Sequence, residues 1–270
     1  MTGRLADRVC LVTGSTGIAE AAAVMLAAEG ASVFVASRTA AHADALAARI
    51  RSTGGRAGAR AGDLSREADA EAAVDACREA YGRIDGLLSV AGGSGRRFGD
   101  GPIHELTAEG WDRTLELNLR SQAMVSRAVA RQMLAQEPNA SGTRGSIVLV
   151  SSVLATRPVP DLFATHAYAA AKGGIVSLGL AMAATYAGDG IRVNVLAPGL
   201  TDTPMAARAA ADPATVAFAA RKQPLIGGFV EADDVAAAAV FLLADESRAV
   251  TGQVLAVDGG WSVTSASPAS

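Results

Sequence analysis

Short β-branched runs alternate with long alanine-rich segments of helical period along most of the chain, and that alternation leaves few folds open. A strand, a helix and a second strand running the same way make a βαβ unit, and a series of such units builds a parallel sheet covered by helices on both faces. The runs predict strands over Val9–Val12, Ser32–Ala36, Gly58–Ala61, Gly86–Val90, Ser146–Val150, Arg192–Leu196 and Gln253–Val257. Helices are predicted over Ala19–Glu29, Ala40–Ser52, Glu67–Tyr81, Ala108–Gln136, Thr165–Ala187 and Ala232–Leu243. Gly30 and Gly82 are stop signals, and Thr107 is an N-cap. The expected fold class is α/β: a single doubly wound domain over residues 1–270 with a mostly parallel seven-stranded sheet.

Composition agrees with this layering. Hydrophobic residues make up 50% of the chain but aromatics only 4%, so the apolar content is largely alanine, valine and leucine, which suits helices packed on a sheet. The 24 basic and 27 acidic residues give a formal charge of −3 with no basic stripe, which argues against a nucleic-acid partner. Cys10 and Cys77 have neither metal-ligand nor redox spacing and are expected to be buried reduced thiols, and no metal is expected. Residues 1–8 lack the apolar stretch of a signal peptide and no run is expected to reach bilayer-crossing length, so a cytoplasmic protein with no membrane partner is expected. Residues 203–228, with Pro204, Pro213, Pro224 and Gly227-Gly228, form either a lid or a passive surface excursion, and residues 262–270 a polar tail.

Directly after the first strand comes Thr13-Gly14-Ser15-Thr16-Gly17-Ile18-Ala19, and then a helix. Glycines there let the backbone turn tightly and let phosphate oxygens approach main-chain N–H groups at the positive end of a helix. The second strand ends Val35-Ala36-Ser37-Arg38, where a dinucleotide-binding fold commonly places an acid for the ribose hydroxyls. No acid is present. Arg38, aided by the Ser37 hydroxyl, suits a 2′-phosphate, because a guanidinium offers several donors in a rigid fork. NADP(H) is the expected cofactor, with NAD(H) as the second choice.

Tyr168-Ala169-Ala170-Ala171-Lys172 places a phenol and an ammonium one helical turn apart on one face. A nearby cation stabilises a phenolate, so Lys172 is expected to lower the Tyr168 pKa towards working pH, and Ser152 can hold a carbonyl or alcohol oxygen within reach of the phenol. Taken singly, each of these residues has an ordinary structural reading; their joint occurrence with a nucleotide loop points to catalysis.

Together these motifs resemble the short-chain dehydrogenase/reductase family from Arg4 to about Trp261. The chain supplies Asp63-Leu64, Ala91-Gly92, a tetrad of Asn118, Ser152, Tyr168 and Lys172, the segment Pro198-Gly199-Leu200-Thr201-Asp202-Thr203, and the ending Val257-Asp258-Gly259-Gly260, in the family's order. The resemblance implies a Rossmann-type fold and an oxidoreductase that moves a hydride between a nicotinamide cofactor and a small carbonyl or secondary alcohol. It implies that Tyr168 exchanges a proton with the substrate oxygen, Lys172 also binds the nicotinamide ribose, Ser152 orients the substrate and Asn118 holds a water in a proton relay. Asp63 and Leu64 would contact adenine, Ala91 and Gly92 the ribose region, and Pro198, Gly199 and Thr203 the nicotinamide end. It also implies a homotetramer or homodimer built from the long helices after strands four and five.

Three departures stand out. One residue fewer than usual separates Gly14 from Gly17, with Ala19 in the last glycine place, so a different set of N–H groups faces the pyrophosphate. Ser89-Val90 replaces the family's common Asn-Asn before Ala91-Gly92, at the loss of one turn hydrogen bond. The segment from Ser152 to Tyr168 is a few residues longer than usual, which alters the pocket wall. The alternatives are a catalytically impaired cofactor-binding or regulatory protein, or an epimerase or dehydratase of the same family. Leu154, Leu162, Phe163 and Met205 are candidate apolar walls, although core packing explains them equally well. Arg96 and Arg97 belong to a solvated loop or to a clamp for an anionic group, and His166, two residues before Tyr168, either reaches the pocket or is incidental. His42 and His104 are expected at the surface.

Overall fold

The computed structural model describes residues 3–265. Its strands are β1 (Val9–Thr13), β2 (Ser32–Ser37), β3 (Arg56–Ala61), β4 (Gly86–Ser89), β5 (Gly145–Val150), β6 (Ile191–Pro198) and β7 (Val254–Val257). They form one seven-stranded sheet in the order β3-β2-β1-β4-β5-β6-β7. Every strand pairing is parallel, so the sheet is wholly rather than mostly parallel. All residues of β1, β5 and β6 are buried, as expected when helices cover both faces and each strand is a continuous apolar run.

The helices, in chain order, are α1 (Ile18–Ala28), α2 (Ala40–Ser52), α3 (Glu67–Tyr81), α4 (Ala108–Leu115), α5 (Ser121–Ala135), the short α6 (Pro160–Phe163), α7 (His166–Tyr186), the short α8 (Ala207–Ala210), α9 (Pro213–Lys222) and α10 (Ala232–Leu243). The two-residue period of the strands sends alternate side chains to opposite faces. Cys10, Val12, Val33 and Val35 meet α1, α2 and α10 on one side. Val9, Leu11, Phe34 and Leu149 meet α3, α5 and α7 on the other. In α1 the buried face is Ala19, Ala22, Ala23 and Leu26, small enough to bring the helix close to the sheet. Cys10 and Cys77 are both free and buried. Burial raises both thiol pKa values, that of Cys77 to about 12.

Two expectations change here. The helix expected over Ala108–Gln136 is interrupted at Glu116–Arg120 by a π-helical turn, a one-residue bulge that recurs at functional sites. The expectation that no run is long enough to cross a bilayer also fails on length and composition, since His166–Asp189 has a mean hydropathy of 1.3. In this fold that helix lies along β6, with Ala167, Ala171, Ile175, Gly179 and Ala183 forming its buried stripe. Of the expected tail, Ser262–Ser265 is described and 266–270 lies outside the described residues.

The chain runs outward from β1 to β3 and returns to β4 on the other side of β1. Strand order therefore reverses between β1 and β4, which opens a crevice beyond their carboxyl ends, the place where such sheets bind ligands.

Candidate active site

The loop after β1 is built around two backbone constraints. Gly14 has φ 97°, and a Cβ there would lie 3.1 Å from the Ala19 methyl. Gly17 has φ 57°, caps the start of α1, and leaves no room for a Cβ, which would fall 2.9 Å from Thr203 Cγ2. No side chain caps α1, so its first-turn N–H groups have no side-chain acceptor. Thr13 points the other way: its hydroxyl accepts from Val90 N and Ala91 N, each at 3.0 Å, and so fastens the β4 loop to β1. Beside it the Ser89 hydroxyl is buried with no partner among the described residues.

Two adjoining clefts share Thr16 at their border. The one over β1 and β2, about 200 Å³, is lined by Gly14, Ser15, Ser37, Arg38, Asp63 and Leu64, with Ala91 and Gly92 on its far wall. Ser15 and Ser37 share a hydrogen bond of 2.9 Å between hydroxyls, which ties the glycine loop to β2. Arg38 is exposed and makes no ion pair among the described residues. Burial pushes the Asp63 carboxyl up, but the Ser65 hydroxyl and N–H, with the charges of Arg38 and Arg66, outweigh it and hold the group below its ordinary value. Uncapped N–H groups at a glycine turn and a guanidinium without an ion pair among the described residues make a donor set that fits a dinucleotide.

The second cleft, about 260 Å³, contains Ser152, Tyr168 and Lys172 together with Gly17, Ile18, Pro198, Gly199 and Thr203. Ser152 leaves β5 in extended backbone, and its hydroxyl accepts from Leu154 N at 3.2 Å. Lys172 is 4% exposed and donates from Nζ to Val150 O at 2.9 Å. The same carbonyl accepts from Gln122 Nε2 at 3.0 Å, so the lysine's remaining N–H donors have to find partners elsewhere. Its Nζ lies 5.5 Å from the centre of the Tyr168 ring. The structure thus brings three of the four tetrad residues into one cleft.

Asn118 stands apart. It is fully buried in the π-helical turn and lines neither cleft. Its amide donates to Gly93 O and Thr114 O, both at 2.9 Å, and accepts from Gly93 N at 3.2 Å, so the side chain clamps the loop after β4. Electrostatics also differ from the sequence expectation. Burial pushes the Tyr168 phenol up to about 12, against the opposing effect of the Ser152 hydroxyl, and the same burial pushes the Lys172 ammonium down to about 8. Desolvation, rather than the neighbouring cation, sets the phenol in this arrangement.

Several residues that bear on the site were not read from the sequence. Asp100, 5% exposed, accepts Ala167 N at 2.9 Å and Tyr168 N at 3.0 Å, capping the helix that carries the tyrosine. Arg208 and Trp261 border the second cleft, and His42 the first, although His42 is exposed as expected. Of the candidate walls, Leu154, Phe163 and Met205 line the second cleft; Leu162 instead offers its carbonyl to Arg96. Arg97 stacks over Phe98 with 4.6 Å to the ring centre, outside both clefts, and His166 lies exposed outside them.

Comparison with known proteins gives the same answer from outside. Residues 12–262 match the family model described as enoyl-(acyl carrier protein) reductase. The chain is 37% identical over 257 residues to cis-4-hydroxycyclohexanecarboxylate dehydrogenase of Sinomonas cyclohexanicum, a match that covers 95% of this chain and 97% of that one. It is 38% identical over 235 residues to inactive 2-(S)-hydroxypropyl-CoM dehydrogenase 2 of Xanthobacter autotrophicus, covering 86% and 95% respectively. A solved gluconate 5-dehydrogenase of Burkholderia cenocepacia J2315, in complex with NADP and tartrate, superposes with a TM-score of 0.88 at 32% identity, covering 97% of this chain and 98% of that one. The chain belongs to the short-chain dehydrogenase/reductase family and is an NAD(P)-dependent enzyme of it.

Proposed function

We propose that this enzyme interconverts a small ketone or aldehyde and its alcohol, with NADP(H) preferred over NAD(H), using Tyr168 as the proton donor and acceptor. The observation that carries the reading is the meeting of Ser152, Tyr168 and Lys172 in one cleft that adjoins the glycine loop. When bound, the dinucleotide supplies the hydride acceptor or donor and, in its oxidised form, a positive charge. Thr16, Gly17 and the α1 N–H groups would hold its phosphates, Arg38 a 2′-phosphate, and Lys172 Nζ the ribose hydroxyls. Ser152 Oγ donates to the substrate oxygen and fixes it beside Tyr168 Oη. With a pKa of about 12 the phenol is protonated at neutral pH, loaded to give its proton to a carbonyl oxygen. Residues 203–228 serve as a lid: Met205, Ala206 and Arg208 border the cleft, and Gln223 anchors the segment through Leu200 and Gly228. Exposed Trp111, Leu134 and Leu180, at 38%, 42% and 43%, support assembly as a homotetramer or homodimer, which a sedimentation mass decides.

A carbonyl screen that follows reduced-nicotinamide absorbance, run with the native chain and Tyr168→Phe, tests the assignment. Turnover lost by two or more orders of magnitude with cofactor binding retained is the expected result; normal turnover in the variant removes Tyr168 from the chemistry. The shortened glycine loop favours a second reading, a protein that has lost turnover because the loop misplaces the pyrophosphate, and an absence of NADPH binding in a fluorescence titration at millimolar cofactor would favour it over the enzyme.

A further inference from the structure

We propose that Arg96 and Arg208 form an anion-binding subsite in the substrate cleft, so that the carbonyl or alcohol compound turned over here carries a carboxylate or a similarly small oxyanion away from its reacting oxygen. The inference rests on the redox reading above and narrows it. Arg96 enters from a 3₁₀ turn after β4 and Arg208 from α8 of the lid segment, and both border the cleft that contains Ser152 and Tyr168. Neither makes an ion pair among the described residues. A guanidinium carries several N–H donors in a planar fork. Arg96 uses one group, donating from Nη2 to Leu162 O at 3.1 Å, and Arg208 has no side-chain hydrogen bond among the described residues.

Asp100 acts on Arg96 and Asp212 on Arg208 through their charge, but both spend their hydrogen bonds on other partners. Asp100 accepts the Ala167 and Tyr168 N–H groups at 2.9 and 3.0 Å. Asp212, one turn beyond Arg208, accepts Ala214 N, Thr215 N and the Thr215 hydroxyl. Two guanidiniums with no direct ion pair among the described residues therefore border one cleft. Burial first, and the charge of Arg208 second, lower the Arg96 pKa, while Asp100 opposes them. An oxyanion seated between two guanidiniums relieves that repulsion and accepts charge-assisted hydrogen bonds from both. Leu154, Phe163, Met205 and Trp261 add apolar walls beside the hydroxyls of Ser94, Thr165, Thr201 and Thr203, so the cleft suits a small ligand body of mixed character.

Three probes separate charge from shape: 4-oxopentanoate, 2-oxopropylphosphonate and methyl 4-oxopentanoate, each assayed with NADPH for kcat/KM. The native enzyme is expected to prefer an anionic probe to the ester by about tenfold or more, the worth of one charge-assisted contact. In Arg208→Ala that ratio falls towards one, and in Arg208→Glu it inverts. Preference for the carboxylate or for the phosphonate identifies the oxyanion, and either supports the subsite. Equal use of acid and ester by the native enzyme, or an equal loss on all three probes in Arg208→Ala, overturns it. If no probe is turned over, calorimetric titration of 4-oxopentanoate into the NADPH complex decides the two proposals separately. Binding that Arg208→Glu abolishes keeps the subsite and removes these compounds as substrates of the proposed reaction, and an absence of binding overturns the subsite.

Discussion

At neutral pH the native protein keeps the Lys172 ammonium at a position only 4% exposed, with Val150 O as its acceptor. Burial lowers its pKa from 10.5 to about 8. Below the folded-state value both states bind the proton, and the desolvation penalty is carried in full. Between about 8 and 10.5 the unfolded chain holds a proton that the folded chain has released, so stability rises with pH. The slope approaches about 1.4 kcal/mol per pH unit, and over the window the gain is on the order of 3 kcal/mol. The sign is that of a depressed pKa: the contribution is present above 10.5 and lost as pH falls towards about 8. Lys172→Met removes the titration and keeps most of the side-chain volume. Urea unfolding of both proteins across the window gives the difference directly, provided the m-values agree. Cys77, Tyr168 and Arg192 titrate in both proteins and drop out of it. The native chain should gain on the variant by on the order of 3 kcal/mol as pH rises. A difference that stays flat, or that moves the other way, would refute the claim that burial governs this lysine.

Two further outcomes follow from single residues. Arg38→Asp should raise the NADPH dissociation constant by roughly ten- to a hundredfold, the scale of one or two charge-assisted contacts, while NADH binding holds or improves; equal losses in a fluorescence titration count against the 2′-phosphate assignment. Asp100→Ala orphans the N–H groups of Ala167 and Tyr168, which should lower stability by about 1–3 kcal/mol and reduce kcat more than it changes KM, with Asp100→Asn recovering part of both. Thermal unfolding and steady-state kinetics check this, and unchanged values for both would dismiss Asp100 as the residue that positions the tyrosine.

The parts legible in the sequence are those written in short-range signals. α2, α3 and α10 begin and end where their patterns do, and Gly82 closes α3 in the left-handed conformation that a stop glycine supplies. The Tyr168–Lys172 pairing follows from helical spacing alone. β3 starts two residues before its expected start; no residue of Arg56–Ala61 is β-branched, and the whole segment is strand because β2 offers it a ladder. The break between α4 and α5 was invisible, since a π-helical turn inserts one residue without ending the helical pattern. Asp100 and Arg208 were illegible for another reason. Asp100 lies 68 positions before Tyr168, and Arg208 faces the site only because the lid segment folds across the ends of the strands. Local pattern can name a phenol and an ammonium, but the direction of their pKa shifts depends on how completely the fold excludes water from them.

The shortened glycine loop shows how a local departure is absorbed by its surroundings. The methyl of Ala19, at the family's last glycine position, lies against Gly14, where any added Cβ would come within 3.1 Å of it. Residue 14 therefore has to be glycine twice over, for its positive φ and for the space that Ala19 now fills. One residue of loop is lost, yet α1 still starts at Ile18, immediately after a glycine in a conformation closed to other residues. That glycine touches Thr203, the first residue of the lid segment, so the phosphate loop and the lid share a wall.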